Sequence, residues 1–101
     1  MCAVVVAAGE LDAFAAPDLA AALAELREER RVLTDLGQVS FMDSSALGVV
    51  VRAARELGEA GATLRIVLPR GSARRIFEIT ALDEVLPVSE TRVAAFAELA
   101  D

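Results

Sequence analysis

A chain of 101 residues with 55% apolar composition is long enough for one domain with a real core. Its formal net charge of -6 excludes the basic stripe that a nucleic-acid backbone demands, so no nucleic-acid partner is expected. All 10 cationic side chains are Arg and there is no His, which removes Ser–His and Cys–His nucleophiles and any His-containing metal site.

The opening "MCAVVVAAGELD" holds Cys2, the single cysteine, which has no intrachain disulfide partner and fits a reducing compartment. It lacks the positive n-region of a signal peptide, and no later apolar run approaches a membrane span. A cytoplasmic location without membrane association is expected. Val4, Val5 and Val6 predict a buried strand ended near Gly9. In "APDLAAALAELREE", Pro17 fits a first helical turn and Leu19, Leu23 and Leu26 recur at helical spacing, with the acids and Arg27 closing the helix. "RRVLTDLG" predicts a second strand over 32–36 and a turn at Gly37.

Leu47, Val50, Val51, Ala54 and Leu57 then form one apolar helix face, with Arg52, Arg55, Glu56 and Glu59 towards water and Gly58 and Gly61 at the end. "TLRIVLP" predicts a third strand stopped by Pro69, and "GSARRIFEIT" a short helix from near Ser72 with Ile76 and Ile79 apolar. Ile76, Phe77 and Leu82 are expected in the core. "EVLPV" predicts a short fourth strand edged by Pro87, and Ser89 is expected to cap a last helix packing through Val93, Phe96 and Ala97. Strands alternating with helices predict an α/β fold, a single domain over 1–101. A mixed sheet of about four strands, at least partly parallel, packs with about four helices.

The segment "VSFMDSSALGVVVRAARELGEAG", 39–61, carries the chemistry. With Asp43 as N-cap, its carboxylate accepts bonds from the first free amides, and Ser44 and Ser45 fill the first helical positions with the Ser44 hydroxyl free. In the other register Ser44 is itself the cap. No Glu or Gln follows three residues after either candidate, so no capping box decides between them. On local chemistry alone, Asp–Ser–Ser before an apolar helix is an ordinary helix start. Ala46, Val49 and Ala53 give the same helix a second apolar side, either buried against a neighbouring helix or reserved for a partner. With Met42 and Phe41 just ahead, the serine would sit at the edge of an apolar contact patch, although Phe41 is rather expected in the core.

"GELD" at 9–12, "VLTDLGQVSFMDSSALGVVV" at 32–51 and "ARRIFEITALDEVLPV" at 73–88 resemble the anti-sigma-factor antagonists, the small stand-alone members of the STAS-domain family. The resemblance covers nearly the whole chain, and its middle motif is specific. It implies a STAS-like domain working as a partner switch. The unphosphorylated antagonist binds an anti-sigma factor that is also a serine kinase, and so frees a sigma factor. Phosphorylation of the serine directly after the motif's Asp, here Ser44, switches binding off, and a PP2C-type phosphatase reverses it. Ser45 is the alternative acceptor. The implied partner-binding residues are Met42, Ser44, Ser45, Ala46, Val49 and Ala53, with Asp43 supporting the phosphosite. The resemblance implies a substrate and binding partner, not an enzyme; no cofactor and no metal are expected from the residues.

Two positions depart from the family pattern. Ala46 stands where the motif commonly has Gly. The family usually has a further strand before the one ending in "GELD", and here it is expected to be short or missing. That would leave an exposed sheet edge, a route to a homodimer. An accessory STAS subunit of a transporter or lipid-trafficking complex, without a phosphoswitch, is the alternative function. Arg70, Arg74 and Arg75 suggest an anion site only weakly, and Asp35, Glu10 and Asp12 specify no Mg²⁺ site.

Overall fold

The computed structural model describes residues 2–84 and 86–99. Strand β1 (Ala3–Leu11) runs parallel to β2 (Arg31–Met42), from Ala3 opposite Val32 to Leu11 opposite Met42. The register slips between Val6 and Ala8 and again between Gly9 and Glu10, where Gly9 has a φ of 79°. Such slips re-aim the residues that follow. Here they let Leu11 and Met42 both turn into the core.

Strand β3 (Thr63–Val67) pairs with the other side of β2, and β4 (Val88–Ser89) with β3, giving the order β1-β2-β3-β4. The α/β class with four strands and four α-helices is as expected. The sheet, expected to be mixed, is parallel in every described pairing. Right-handed crossovers that step always in one direction place their helices on one face of a sheet. Helices α1 (Ala16–Ala24), α2 (Ser44–Glu59) and α3 (Ser72–Ile79) share one face accordingly: Leu19, Leu23, Leu47, Val50, Leu57 and Phe77 meet Val32, Leu36, Leu64 and Ile66 in one core. Each large side chain so buried contributes about 1.5–3 kcal/mol. Helix α4 (Arg92–Leu99) lies on the opposite face, where Ala95 and Leu99 pack on Leu33 and Val67.

Strand β2 does not end at Leu36, and Gly37 is not a turn. The strand continues to Met42 because β1 goes on pairing with it, with Ala8 opposite Gln38 and Gly9 opposite Val39. The glycine serves a close approach instead. Its N–H donates to Asp35 Oδ1 at 2.8 Å, and a Cβ there would lie 2.9 Å from that oxygen. The other carboxylate oxygen of Asp35 accepts from Arg92 Nε, which ties α4 to the sheet.

Helix α1 ends at Ala24, before the acids expected to close it. The expected strand over 84–88 survives only at Val88; Glu84 ends a 3₁₀ turn (Leu82–Glu84), and Val85 lies outside the described residues. Ser89 is a buried strand residue rather than a cap, and its hydroxyl accepts from Arg65 Nη2 at 2.7 Å. Thr91 caps instead, its Oγ1 accepting the Ala94 N–H at 3.1 Å. The packing face of α4 is also rotated from the expected one. Val93 is 80% exposed and Phe96 and Ala97 are exposed too, while Ala95 and Leu99 face the sheet. Ile79, read as part of the apolar face of α3, is likewise exposed.

Candidate functional site

The strands are parallel, so their C-terminal ends form one rim, where loops and helix starts gather. Three local features assemble the rim around α2. The Asp43 N–H donates to the Leu11 carbonyl at 3.0 Å, joining the ends of β1 and β2. Asp12 Oδ1 accepts the N–H groups of Phe14 and Ala15 at 3.0 and 3.1 Å, which shapes the turn into α1. Asp43, extended at φ −97° and ψ −179°, then starts α2.

Asp43 is the N-cap. Its Oδ1 accepts from Ser45 N–H at 2.9 Å and Ala46 N–H at 3.1 Å, satisfying two of the helix's free donors and setting a negative charge at the positive end of the dipole. The register left open by the sequence is thereby decided, with Ser44 as the first helical residue. Ser44 and Ser45 are both exposed, and neither hydroxyl makes a hydrogen bond among the described residues.

The expected partner-binding set divides. Met42 is 3% exposed and Ala46 not at all, so neither presents surface to a partner. Met42 pairs with Leu11 and fills the space beneath the rim; the Ala46 methyl points into the same core, away from Ser44. Val49 and Ala53 are half-buried and line a cleft of about 230 Å³ between α1 and α2, with Leu23, Arg27 and Glu56. Ser44 belongs to a different concavity, a shallow groove of about 340 Å³ on the other side of α2, lined by Leu47, Gly48, Val51, Arg52, Arg55 and Leu82.

Several residues of the rim and groove escaped sequence reasoning. Phe14 is 91% exposed at the tip of the Asp12 turn, and Phe41, expected in the core, is 49% exposed. Alternation along β2 turns Phe41 away from the side of buried Met42, and α4 covers Leu33 and Val67 instead. A glycine at Gly48, four residues after Ser44 inside a helix, was the available signal for the groove.

The other candidates come apart. Arg70 pairs with Glu90 at 2.8 Å, and Arg74 Nη1 donates to the Leu68 carbonyl at 3.0 Å, so these arginines hold strand ends and helix α3 together. Asp35 is engaged by Gly37 and Arg92, apart from Glu10 and Asp12, and among the described residues no cluster of acids or cysteines forms a metal site. No described helix is long and apolar enough to cross a membrane.

Residues 1–95 match the family model of the STAS domain. The chain belongs to the STAS domain family. Among curated relatives, the anti-sigma-B factor antagonist of Staphylococcus aureus (strain NCTC 8325 / PS 47) is 34% identical over 84 residues, covering 81% of this chain and 78% of that protein. An anti-sigma factor antagonist from Mycobacterium paratuberculosis superposes with a TM-score of 0.89 at 26% identity, covering 99% of this chain and 86% of that one. The Bacillus cell fate determinant SpoIIAA, solved in its phosphorylated form, superposes with a TM-score of 0.66 at 25% identity, covering 96% and 89% of the two chains.

Proposed function

We propose that this STAS domain is an anti-sigma factor antagonist controlled by phosphorylation of Ser44. The unphosphorylated chain binds an anti-sigma factor with serine kinase activity and frees a sigma factor. Transfer of the terminal phosphoryl group of ATP to the Ser44 hydroxyl, with release of ADP, ends the complex, and a PP2C-type phosphatase restores it by hydrolysing the phosphate ester. In this role the chain is a substrate and a binding partner, not a catalyst.

The observation that carries the reading is a division of labour at the head of α2. Asp43 does the capping, so Ser44 is exposed with its hydroxyl uncommitted. The names of the relatives, and a structural neighbour solved in a phosphorylated form, support the same reading. Phosphate at Ser44 adds about 1.5 to 2 negative charges next to Asp43. A helix N-terminus accommodates an anion, so the fold of the free chain is preserved. The nearest arginines on the helix, Arg52 and Arg55, stand about 12 and 16 Å further along its axis and do not neutralise it. The new charge therefore acts on the docked partner. Desolvation or repulsion of about 2.8 kcal/mol weakens binding about a hundredfold.

The test is capture from a lysate of the source bacterium with wild type, Ser44→Ala and Ser44→Asp as baits, with mass spectrometry of the captured proteins. Wild type and Ser44→Ala are expected to retain a kinase-type anti-sigma factor, and Ser44→Asp to lose it. Phosphate mapped to Ser45 would move the switch by one residue. Equal capture of a transporter or lipid-trafficking component by all three baits would overturn the reading.

A further inference from the structure

Gly48 is a glycine without an internal reason. It lies inside α2, is exposed, has no left-handed backbone, and a Cβ built on it meets nothing within 4 Å. Inside a helix, glycine is less favourable than alanine, so nothing among the described residues accounts for it. It stands one turn after Ser44 on the same side of the helix and forms the floor of the Ser44 groove between Leu47 and Val51. Arg52 and Arg55, about two and three turns after Ser44 along the helix, line the same groove. Both are exposed, and neither makes an ion pair among the described residues, where the pairs are Arg70–Glu90 and Arg92–Asp35. In a chain of net charge -6, the described lining of this groove holds two arginines and no acid, and Arg52 also borders the α1–α2 cleft beside Glu56.

Resting on the antagonist reading above, we infer that this groove seats an acidic segment of the anti-sigma factor. The segment lies against the bare backbone at Gly48, buries apolar side chains on Leu47, Val51 and Leu82, and sets carboxylates against Arg52 and Arg55. Charge complementarity identifies the occupant as acidic, and Ser44 at the groove's head makes it the partner that meets the phosphoacceptor. A phosphate on Ser44 would then stand at the entrance of a seat built for an anion-bearing segment and repel it directly.

The test uses the anti-sigma factor retained in the capture experiment, purified and held in ADP so that no phosphate is transferred. Its affinity is measured by calorimetry for wild type, Gly48→Leu and the double variant Arg52→Glu/Arg55→Glu. Gly48→Leu fills the groove from open space and improves helix propensity, so it should melt no earlier than wild type. Both variants are expected to bind at least about tenfold more weakly, as truncating or blocking an interface anchor does. The arginine effect should shrink with added salt, and the Gly48→Leu effect should persist. Wild-type affinity in either variant overturns the groove as the seat while leaving the antagonist reading in place. Absence of any binding by wild type overturns both.

Discussion

Removing the Asp43 carboxylate tests whether the head of α2 is organised as described. In Asp43→Ala the N–H groups of Ser45 and Ala46 lose their acceptor at 2.9 and 3.1 Å. Ser45 is exposed and recovers a water, but Ala46 is fully buried and its N–H is poorly placed to do so. Loss of a cap costs about 1 to 2 kcal/mol, and loss of the charge at the helix dipole about 0.3 to 1 kcal/mol more. Asp43→Asn keeps a side-chain oxygen as acceptor and should lose only the smaller, charge-dependent part. For a domain of this size each kcal/mol moves the melting temperature by roughly 4–8 °C, so the Ala variant should melt roughly 5–24 °C early. Circular dichroism melts and urea titrations of the three proteins read this directly. Equal stability of wild type and Asp43→Ala, or equal damage by Ala and Asn, would refute the assignment of Asp43 as the cap that leaves Ser44 free.

Three further substitutions probe the scaffold. Phe77→Ala empties a fully buried site between α3 and the sheet and should cost about 3–5 kcal/mol in urea denaturation, a large share of a small domain's stability. In Gly37→Ala the new methyl meets the Asp35 carboxylate, which is held by the Gly37 N–H and by Arg92; a loss of about 1–2 kcal/mol is expected, smaller when Asp35→Asn is already present. Ala81 has a φ of 59°, a left-handed conformation after α3 that suits glycine, so Ala81→Gly should raise stability by up to about 1 kcal/mol. An unchanged or lowered midpoint for Ala81→Gly would contradict that backbone conformation.

Much of the architecture was legible from short-range signals. Pro17 in the first turn of α1, the end of α2 near Gly61 (φ 86°), the end of β3 before Pro69 and the start of α3 at Ser72 all fall where local backbone preferences put them. The "MDSSALG" motif likewise pointed to the head of α2, and its register was the one with Asp43 as cap. What misled were residues whose local preference was outvoted. Gly37 reads as a turn until β1 supplies pairing partners through and beyond it. In α4, alternative faces of Ala-rich "RVAAFAEL" compete closely, and the small Ala95, rather than the bulky Val93 or Phe96, is what lets the helix sit close to Leu33 and Val67.

The class of fold, a helix start at Asp–Ser–Ser and the family were legible in the chain, because propensity, capping and turn chemistry act over a few residues and leave a local pattern; which residue caps that helix was not. Which apolar residues are core and which are surface was decided only by tertiary structure. Met42 and Ala46 are buried while Phe14 and Phe41 are exposed, although hydrophobicity alone favours the phenylalanines. The reason is topological. One-directional crossovers stack α1, α2 and α3 on a single face of the sheet and leave the short α4 to cover the other, so burial follows the side of the sheet rather than the size of the side chain. The same stacking sets α2 beside Leu82 of the 3₁₀ turn, so a solitary glycine in the sequence becomes the floor of a groove in the fold.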